Sequence, residues 1–558
     1  MDAGSSPRAA SSAVEETDKE LAPPPRESDG EEDDPELGDS GLQAQQSRTD
    51  SIWIASTLSF PREAMFVSIV CMSQFCTQAA FNNVLVLMHT IGDGFGITNP
   101  GQLSWLVAGY SLTVGTFILF SGRLGDVFGY KRMLLIGFCW FALWSLIAGV
   151  SVYKNFVLFV FARVLQGIGP AICLPNGLAI LGAAYPPGHR KAMVFSLFGA
   201  SAPTGAIVGM AISCVISLAW WPWMFWALAI TLVLMAAVGY FIIPVPPRKH
   251  APPKDLQELA IELDLPGVVS GVTALILFNF AWNQAPLTGW AAPEVIVTLI
   301  LGLILIGAFF VIELRYASMP LLPLDAVNSD VAFVLGAVCL GWATFGIWSL
   351  YLVQIIQQIR HHSPLLTAAW FAPVAPVGLF AAIVTGVLLG PLKVQPPYVM
   401  LMALLAFLIG VILTATAPIH TSYWAPTFIA LLIMPFGMDL SFPASTLILS
   451  NAVAKKHQGI GASLINTVVN YGISLGVGFA GTVEVHVNNG GKTEADLLKG
   501  YRGALYMGTG LAGLGVIVCI LYLAKHHFQS GERGDDAPEK TVDSGARTPN
   551  VLEESDGA

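Results

Sequence analysis

The chain has 558 residues, of which 54% are hydrophobic and only 11% are charged, and its mean hydropathy is +0.66. Soluble domains carry about 25% charged residues, so this composition argues against a soluble enzyme. The net charge of −10 comes from the ends of the chain, because residues 61–524 hold only 34 charged residues and have a net charge of +4. The sequence therefore predicts an apolar body in a membrane between two acidic ends.

Both ends have a composition typical of disorder. Residues 1–60 hold 14 acidic and 4 basic residues, and residues 525–558 hold 8 and 4. Segments rich in charge, Ser, Pro and Gly bury too little apolar surface to offset the entropy of ordering. We expect two disordered tails at 1–60 and 525–558.

The stretch between the tails contains fourteen apolar runs, each long enough for a transmembrane helix. About 20 apolar residues are needed to cross the hydrocarbon core. The predicted spans are 65–88, 103–121, 133–151, 156–182, 192–216, 223–243, 265–284, 295–313, 331–354, 364–389, 397–417, 424–449, 459–482 and 503–524. The seventh and eighth are the least regular of these runs.

The distribution of Lys and Arg predicts the orientation of the spans. Cytoplasmic loops carry an excess of these residues. With the N-terminus inside, thirteen of them fall in cytoplasmic turns and five in outer loops. Both termini are therefore expected in the cytoplasm, as an even number of spans requires.

An even number of spans also permits a duplicated architecture. We predict an all-α polytopic membrane protein with one six-helix bundle at 61–243 and another at 331–524. A cytoplasmic linker and two additional helices at 244–330 separate the bundles. Gly205 and Gly209 in the fifth span have glycine-rich counterparts in the thirteenth. Small residues let helices approach closely in lipid, so these glycines indicate either tight packing or an interface that moves, a conformational gate.

Two glycine-containing strings do not predict nucleotide sites. The string at 490–493 ends like a Walker A loop, but His486 stands where the first glycine is required, and no strand precedes it. The glycines at 508–513 lie inside an apolar span, where the strand-turn-helix context is missing. No His, Cys or carboxylate cluster has the spacing of a metal site. We therefore expect no cofactor, no metal and no enzymatic activity.

The strongest local motif is the turn at 122–132, GRLGDVFGYKR. Gly122 and Gly129 permit a tight turn, and Asp126 can accept hydrogen bonds from helix N-termini or pair with basic residues such as Lys131 and Arg132. This pattern predicts a conformational gate in which a charge pair holds one state and is released in another. A basic cytoplasmic turn with a capping Asp is an equal alternative.

These residues resemble a known family. The turn resembles the signature loop of the major facilitator superfamily, and the segment RVLQGIG at 163–169 is similar to that superfamily's second motif. With fourteen spans, the chain resembles the drug:proton antiporter branch. The segments PFGMDLSFPA at 435–444 and NTVVNY at 466–471 resemble the fungal subgroup of aminotriazole-resistance and low-affinity ammonium transporters. The resemblance covers residues 61–524 and implies the two-bundle fold of that superfamily.

Asp439 is the candidate proton-coupling residue. It lies about 5 Å from the middle of the twelfth span, taking 1.5 Å per residue. An ionised carboxylate there costs about 2.5–3.5 kcal/mol, so the side chain should face protein or water, and the neutral acid is favoured. Such a group can exchange a proton during a cycle. A carboxyl that is permanently hydrogen-bonded to a neighbouring helix is the alternative.

Arg163 and Glu484 complete the predicted proton-coupling set. A guanidinium does not lose its proton at accessible pH, so Arg163 must be paired, hydrogen-bonded or hydrated within the fourth span. The resemblance implies that it tunes proton uptake by a nearby acid, and a brace to backbone carbonyls is the alternative. Glu484 is predicted to gate proton access, although an interfacial carboxylate that reaches toward the membrane surface fits the sequence better.

Polar side chains recur at helical spacing in two spans. Gln74, Gln78 and Asn82 share one face of the first span, and Asn466 and Asn470 share one face of the thirteenth. Because an amide facing lipid is costly, these stripes should line a central cavity or join helices. The resemblance favours the cavity.

Two further residues are assigned to the substrate cavity. Gln166 belongs to the second motif in the fourth span. Trp342 lies deep in the ninth span, where it can contact an aromatic or cationic substrate or simply pack against a helix.

We predict a transporter that works by alternating access around a site near the membrane midplane. The leading hypothesis is proton-coupled efflux of small organic compounds, whether drugs, toxins or secondary metabolites. The alternatives are transport of a small inorganic solute such as ammonium or borate, and a non-transporting nutrient sensor. The expected partners are a small-molecule substrate, protons and the lipid bilayer, and no nucleic acid is expected. We predict a monomer in the plasma membrane, with the vacuolar membrane as the alternative.

Overall fold

The computed structural model describes residues 54–153, 155–186, 188–245, 255–321, 329–452 and 458–535. Fourteen helices in these ranges are long and apolar enough to cross a membrane, and no strand occurs in them. They are α1 Phe60–Phe95, α2 Pro100–Phe128, α3 Tyr130–Tyr153, α4 Phe156–Ala184, α5 His189–Ser217, α6 Trp223–Ile242, α7 Leu265–Thr288, α8 Pro293–Arg315, α9 Ser329–Ile359, α10 Pro364–Leu389, α11 Pro396–Thr416, α12 Pro426–Ala452, α13 Gln458–Val487 and α14 Glu494–Asp535. All fourteen predicted spans are confirmed.

Several of the helices begin at a side-chain cap that the sequence supplies. The side chain of Asn99 accepts a hydrogen bond from the Gly101 amide, and Pro100 occupies the first helical turn of α2. Asn155 caps α4 at 2.7 Å from the Leu158 amide, and Asp264 caps α7. Polar caps of this kind satisfy amides that have no partner within the helix, so they fix where each span starts after a short loop.

The predicted disordered tails need correction at their inner limits. A 3₁₀ turn occupies Ile54–Thr57, α1 begins at Phe60, and α14 continues to Asp535 rather than ending near 524. A helix that leaves the membrane can continue into water as long as its residues tolerate helical geometry, which hydropathy does not report. Residues 1–53 and 536–558 lie outside the described residues.

The spans form two six-helix bundles, α1–α6 and α9–α14, with the α7–α8 hairpin added between them in sequence. Helix α7 packs against both α2 and α13, whereas the close contacts of α8 within the described chain are with α7. Only 11% of the apolar window of α8 is buried. The exposed apolar side chains of α8 therefore face the position of the lipid.

Glycines place the same helix contact in both bundles. In the first bundle, a Cβ on Gly205 of α5 would lie 2.4 Å from the Phe75 carbonyl oxygen of α1, and a Cβ on Gly209 would lie equally close to Ala79. In the second bundle, Gly472 and Gly476 of α13 abut α9 at Cys339 and Ala343. Both pairs are four residues apart, as are their partners. The same helix–helix contact thus occurs in both bundles, as the predicted duplication of the six-helix unit requires.

This contact also corrects a predicted role. Gly205 and Gly209 were expected to serve either tight packing or a moving gate. Both glycines pack against α1 of their own bundle rather than against the other bundle. The packing interpretation therefore fits the structure, because a backbone approach this close leaves no space for sliding.

The two bundles meet along two seams. In the α2–α13 seam, a Cβ on Gly115 would lie 2.7 Å from the Tyr471 amide nitrogen, and Ser474 donates a hydrogen bond to the Ala108 carbonyl at 2.9 Å. The second seam lies between α5 and α10. We call the membrane face where α1 begins the predicted inner face and the opposite one the predicted outer face.

Candidate functional site

Asp439 lies at the middle of α12, beside the α5–α10 seam. Its Oδ2 atom is buried and has no hydrogen-bond partner among the described residues. A Cβ built on Gly378 of α10 would lie 3.1 Å from this oxygen and 3.2 Å from the Cβ of Pro203 of α5. The carboxyl group therefore lies where α10, α12 and the opposite bundle meet. Thr385 of α10 donates to the Asp439 carbonyl at 3.1 Å and ties α10 to α12.

No counter-charge is supplied by the helices that pack most closely on Asp439. The residues of α10 and α11 include no Asp, Glu, Lys, Arg or His, and Asp439 is the single such residue in α12. A buried carboxylate without a donor or a cation is costly. In this conformation the site suits the neutral acid, as the sequence predicts for a group that exchanges a proton.

Arg163 is fully buried in the first bundle, with 0% of its surface exposed. Its Nε donates to the Leu106 carbonyl at 3.2 Å and its Nη1 donates to Gln166 Oε1 at 2.5 Å. The guanidinium also lies 4.5 Å from the centre of the Tyr110 ring. These are backbone, amide and aromatic partners, so the contacts match the brace interpretation rather than a direct effect on a neighbouring acid.

Gln166 does not line a cavity in this conformation. It is fully buried, and its Nε2 donates to Ser145 Oγ of α3 at 2.6 Å. Gln166 thus joins α3, α4 and Arg163 in one hydrogen-bonded network. The predicted place of Gln166 in the substrate cavity is wrong for this conformation, because the side-chain carbonyl of Gln166 accepts a hydrogen bond from the buried Arg163.

Glu484 lies inside the second bundle near the predicted outer face, with 6% of its surface exposed. Its Oε2 accepts a 2.7 Å hydrogen bond from the Tyr351 hydroxyl of α9, and its Oε1 has no partner among the described residues. The ring of Tyr501 lies 5.7 Å from that of Tyr351. The interpretation of Glu484 as a carboxylate reaching toward the membrane surface is therefore wrong. Glu484 is thus a buried acid of the second bundle, and its role in proton access stays a prediction.

The amide stripes of α1 and α13 keep their bonds within their own helices. Asn82 donates to the Gln78 carbonyl at 3.0 Å, and Asn470 donates to the Asn466 carbonyl at 3.0 Å. Gln74 and Gln78 are partly exposed. Neither of these two bonds joins two helices, and the cavity assignment stays a prediction.

Trp342 braces α9 against α12. Its indole nitrogen donates to Ser441 Oγ at 3.2 Å, two residues along α12 from Asp439. The ring lies 5.4 Å from that of Phe345 and stays partly exposed. The structure thus places an aromatic surface one helix away from the acid.

The signature loop differs in detail from its predicted charge lock. Gly129 adopts a φ of +97°, a value that favours glycine. Asp126 accepts a hydrogen bond from the Tyr130 hydroxyl within the same turn, instead of pairing with Lys or Arg in the described chain. Lys131 donates to the Tyr240 carbonyl at the end of α6, at 2.8 Å, and Arg132 is exposed. Both basic residues lie on the first bundle, so the predicted lock by Asp126 is not formed here.

Gly122 is the loop residue that meets the other bundle. A Cβ built on it would lie 3.4 Å from Ser463 Oγ of α13. The basic residues at 455–457, which precede α13, lie outside the described residues. The gate role of this loop therefore remains a prediction, with Gly122 as its contact across the α2–α13 seam.

Arg123 makes contacts that sequence reasoning missed. Its guanidinium donates to the Glu262 carbonyl at 3.2 Å, to the Met319 carbonyl at 2.6 Å and to the Pro320 carbonyl. The first acceptor precedes α7 and the other two follow α8. One side chain of α2 therefore fastens both ends of the hairpin at the predicted inner face.

Arg123→Gln should loosen the hairpin. Hydrogen bonds from charged donors contribute about 1.5–3 kcal/mol each, but Arg123 is partly exposed, and we expect a loss of about 1–2 kcal/mol in the free energy of unfolding. Thermal unfolding of the purified chain measures this. Arg132→Gln makes the same change at an exposed residue and should leave the midpoint unchanged. Equal midpoints for the two variants would contradict the proposed fastening.

A second unforeseen contact joins the bundles at the predicted outer face. His89 of α1 hydrogen-bonds to Gln354 of α9, and Gln357 donates to the Val86 carbonyl at 2.8 Å. The end of α9 at Ile355–Ile359 is π-helical, a form that is frequent at functional sites. In the sequence these are polar residues at the ends of two apolar spans, which is an insufficient signal for pairing. The outer ends of α1 and α9 are closed together here.

The geometry is that of two bundles closed together at the predicted outer face, with an acid at mid-depth whose Oδ2 atom is buried. A model of the Major Facilitator Superfamily matches residues 70–477. The chain belongs to the major facilitator superfamily. A member of this superfamily is a multi-pass membrane protein that moves a small molecule, and family and relatives indicate a secondary transporter rather than an enzyme.

Several relatives of this major facilitator are fungal proteins. The chain is 51% identical over 474 residues to the low affinity ammonium transporter of Saccharomyces cerevisiae, an alignment that covers 84% of this chain and 90% of that protein. It is 44% identical over 489 residues to the efflux pump terG of Aspergillus terreus, covering 87% and 91%. It is 37% identical over 486 residues to the aminotriazole resistance protein of S. cerevisiae, covering 86% and 87%. The predicted fungal subgroup is confirmed.

Solved structures show the same fold at much lower identity. The POT family transporter PepTSo superposes with a TM-score of 0.61 at 15% identity, over 85% of this chain and 99% of that one. A peptide transporter POT in complex with sulfate gives 0.59 at 16% identity, over 82% and 93%. These similarities establish the major facilitator fold of the chain and no substrate.

Proposed function

We propose that this major facilitator exports small organic compounds in exchange for protons, with Asp439 as the proton carrier. The observation that carries the proposal is the unpartnered carboxyl oxygen of Asp439 at mid-depth between the two bundles. A group in that place can be exposed to either side as the bundles rock. It can therefore bind a proton on one side and release it on the other.

Glu484 and Arg163 have supporting roles in this proposal. Glu484 is the second buried acid and lies nearer the predicted outer face, where it receives protons before they reach the centre. Arg163 is a permanent charge held by backbone and amide groups, and it fixes the electrostatic potential inside the first bundle. Its effect on Asp439 acts through this potential rather than through contact.

The substrate is proposed to bind between the amide stripes of α1 and α13 and the aromatic face of α9. Gln74, Gln78, Asn466 and Asn470 offer both donors and acceptors, and Trp342 offers an apolar ring. A mixed polar and aromatic surface suits an organic molecule of moderate size. A bare ammonium ion would need acceptor groups alone.

The names of two relatives and the charges of the loops support the proposed direction of transport and the proposed location. Two relatives with 44% identity to this chain are named efflux pumps, terG and terJ of Aspergillus terreus. The Lys and Arg asymmetry supports a cytoplasmic position for both termini. We propose a monomer in the plasma membrane that moves its substrate out of the cytoplasm.

The proposal is tested by flux in sealed vesicles that contain the purified chain. A pH gradient, acidic on the side opposite the substrate, is imposed and then collapsed with an uncoupler. A panel of radiolabelled organic compounds and methylammonium is offered in parallel. We expect at least one organic compound to move against its gradient only while the pH gradient lasts. Organic flux that ignores the pH gradient would overturn proton exchange.

A second function is favoured by one specific observation. The relative with 51% identity is named a low affinity ammonium transporter. If that activity also belongs to this chain, methylammonium is the transported member of the panel and no organic compound is. The unpaired Asp439 carboxylate would then be the binding group for a small cation.

A further inference from the structure

A cavity at the predicted outer face lies within the second bundle. Its walls come from the end of α9 and from α11, α12 and α14, and they combine Arg360 and Arg502 with Thr414, Thr427 and apolar side chains. No acid is among its described lining residues. The space amounts to about 350 Å³ when the part open to solvent is included, near the lower limit for a small-molecule site. The cavity is therefore positively charged and suits a small polar group.

The two arginines are unusual for this side of the membrane. Lys and Arg are concentrated in cytoplasmic loops, and only five of them fall in the predicted outer loops of this chain. Two of those five share this one cavity. Arg360 directly follows α9 and Arg502 lies in α14, so it is the fold of the second bundle that brings two distant parts of the sequence together.

Most of the guanidinium hydrogens lack a strong acceptor. Arg360 donates to the Thr421 carbonyl at 3.3 Å and to the Pro418 carbonyl at 3.4 Å, and both bonds are longer than the usual 2.9–3.0 Å. Its Nε is buried and has no hydrogen-bond partner among the described residues. Arg502 donates to the Ala417 carbonyl at 2.9 Å. Each guanidinium has five N–H donors, so these three bonds occupy only part of them.

The positive charges of the cavity also lack a counter-ion. Neither guanidinium forms an ion pair with a carboxylate in the described chain. Two acids at this face of the second bundle have other partners, since Glu494 pairs with His361 at 3.0 Å and Glu484 accepts from the Tyr351 hydroxyl. The carbonyls at the end of α11 attract cations but carry no net charge. A bound anion would offset the cost of two partly buried charges.

Aromatic side chains indicate the depth of the cavity in the membrane. The Arg360 guanidinium lies 5.7 Å from the centre of the Trp370 ring, and that ring centre lies 4.7 Å from the centre of the Tyr423 ring. The neighbouring Trp424 is 70% exposed. Trp and Tyr concentrate where the membrane meets water, at the level of the lipid head groups. The cavity therefore lies at the level of the lipid phosphates.

We propose that Arg360 and Arg502 form a binding site for a phosphate-type oxyanion at the predicted outer face. A guanidinium presents parallel N–H donors that match two oxygens of a phosphate, and the two arginines together supply two positive charges. The depth of the cavity favours the phosphate of a lipid head group as the occupant. Inorganic phosphate satisfies the same donors. The site lies apart from the proposed substrate surface and does not depend on proton exchange.

The test is thermal unfolding of the purified full chain in detergent, titrated with two probes. One series receives dioleoyl phosphatidic acid, and its blank is dioleoylglycerol, which lacks the phosphate. The other series receives inorganic phosphate, and its blank is chloride at the same ionic strength. A ligand that binds the folded chain raises the midpoint of unfolding. We expect a saturable rise with phosphatidic acid over its blank, which gives an apparent dissociation constant.

Arg360→Gln and Arg502→Gln should each raise this dissociation constant about tenfold or more, because a hydrogen bond from a charged donor contributes about that factor. Each variant is compared with its own blank, so that a general loss of stability cancels. Arg360→Lys and Arg502→Lys keep the charge without the planar donor group and should also bind more weakly than wild type. Lys492→Gln removes an exposed positive charge of the outer loop and should bind as wild type.

The outcomes distinguish the two sources of phosphate and can also reject the site. A response to phosphatidic acid alone assigns the site to a lipid, and a response to inorganic phosphate assigns it to a free oxyanion. The inference is overturned if neither probe exceeds its blank, or if the arginine variants respond as wild type does. An equal loss in Lys492→Gln would indicate a diffuse positive surface and would also overturn it. The lysine variants carry the comparison if a glutamine variant does not fold.

Discussion

Asp439→Asn should abolish proton-driven accumulation of the substrate. Asparagine keeps the size and polarity of the side chain but cannot bind and release a proton. We expect the initial rate of gradient-driven flux to fall about 100-fold or more, at the low end of what proton-transfer groups contribute to reaction rates. Flux into sealed vesicles, with the amount of inserted protein measured in the same samples, gives the ratio. Asp439→Glu keeps a titratable group and should retain part of the activity.

A matched change elsewhere separates chemistry from folding. Asp496 lies in the first turn of α14 at the predicted outer face, is partly exposed, and accepts a hydrogen bond from Asn489. Asp496→Asn removes one carboxylate as Asp439→Asn does, and it should leave the flux unchanged. If Asp439→Asn keeps gradient-driven flux within twofold of wild type, Asp439 is not the carrier and Glu484 becomes the next residue to test.

Gly205→Ala should lower the temperature at which the chain unfolds. The added methyl group would lie 2.4 Å from the Phe75 carbonyl oxygen and 2.7 Å from its Cα. These are backbone atoms, so α1 and α5 must separate along their length. Overpacking of this kind costs about 1–3 kcal/mol, and the midpoint of thermal unfolding in detergent should fall accordingly.

The second bundle provides a replicate of this experiment. Gly476→Ala places a methyl group 2.5 Å from the Ala343 carbonyl oxygen of α9, and its cost should be similar. Gly307→Ala in α8 has nothing within 4 Å and faces away from both bundles; this alanine should be neutral or stabilising by helix propensity. Equal midpoints for Gly205→Ala and Gly307→Ala would show that the α1–α5 contact tolerates a side chain.

Most of the fold could be predicted from the sequence because hydropathy is a local property. Each run of about 20 apolar residues crosses the membrane as a helix whatever its neighbours are. The spacing of glycines in the fifth and thirteenth spans predicted the duplication for a similar reason. The far end of α14 escaped prediction because helix continuation in water depends on propensity rather than on hydropathy.

The candidate site could be predicted only in part because pairing is not a local property. Asp439 was identified because an ionised carboxylate within an apolar span is energetically costly. The burial of Glu484 could not be predicted, because its hydrogen-bond partner Tyr351 is 133 residues away in the sequence. Gln166 carried the same polarity signal as Gln74 but belongs to the network of Arg163. The contacts of Arg123 with the hairpin could not be predicted, because its acceptors are backbone carbonyls of two segments that are distant in the sequence.

Three helices cross at their midpoints in the α2–α13 seam. Gly115 of α2 abuts Tyr471 of α13, and the Tyr471 hydroxyl donates to the Leu275 carbonyl of α7 at 2.9 Å. Points on a pivot line travel least when two rigid bodies tilt against each other. The contacts at this crossing can therefore persist as a pivot while the two ends of α2 and α13 move relative to each other. Helix α7 adds a third layer to this crossing by packing on both α2 and α13, whereas the α5–α10 seam has fewer contacts and is the side where we expect the larger displacement.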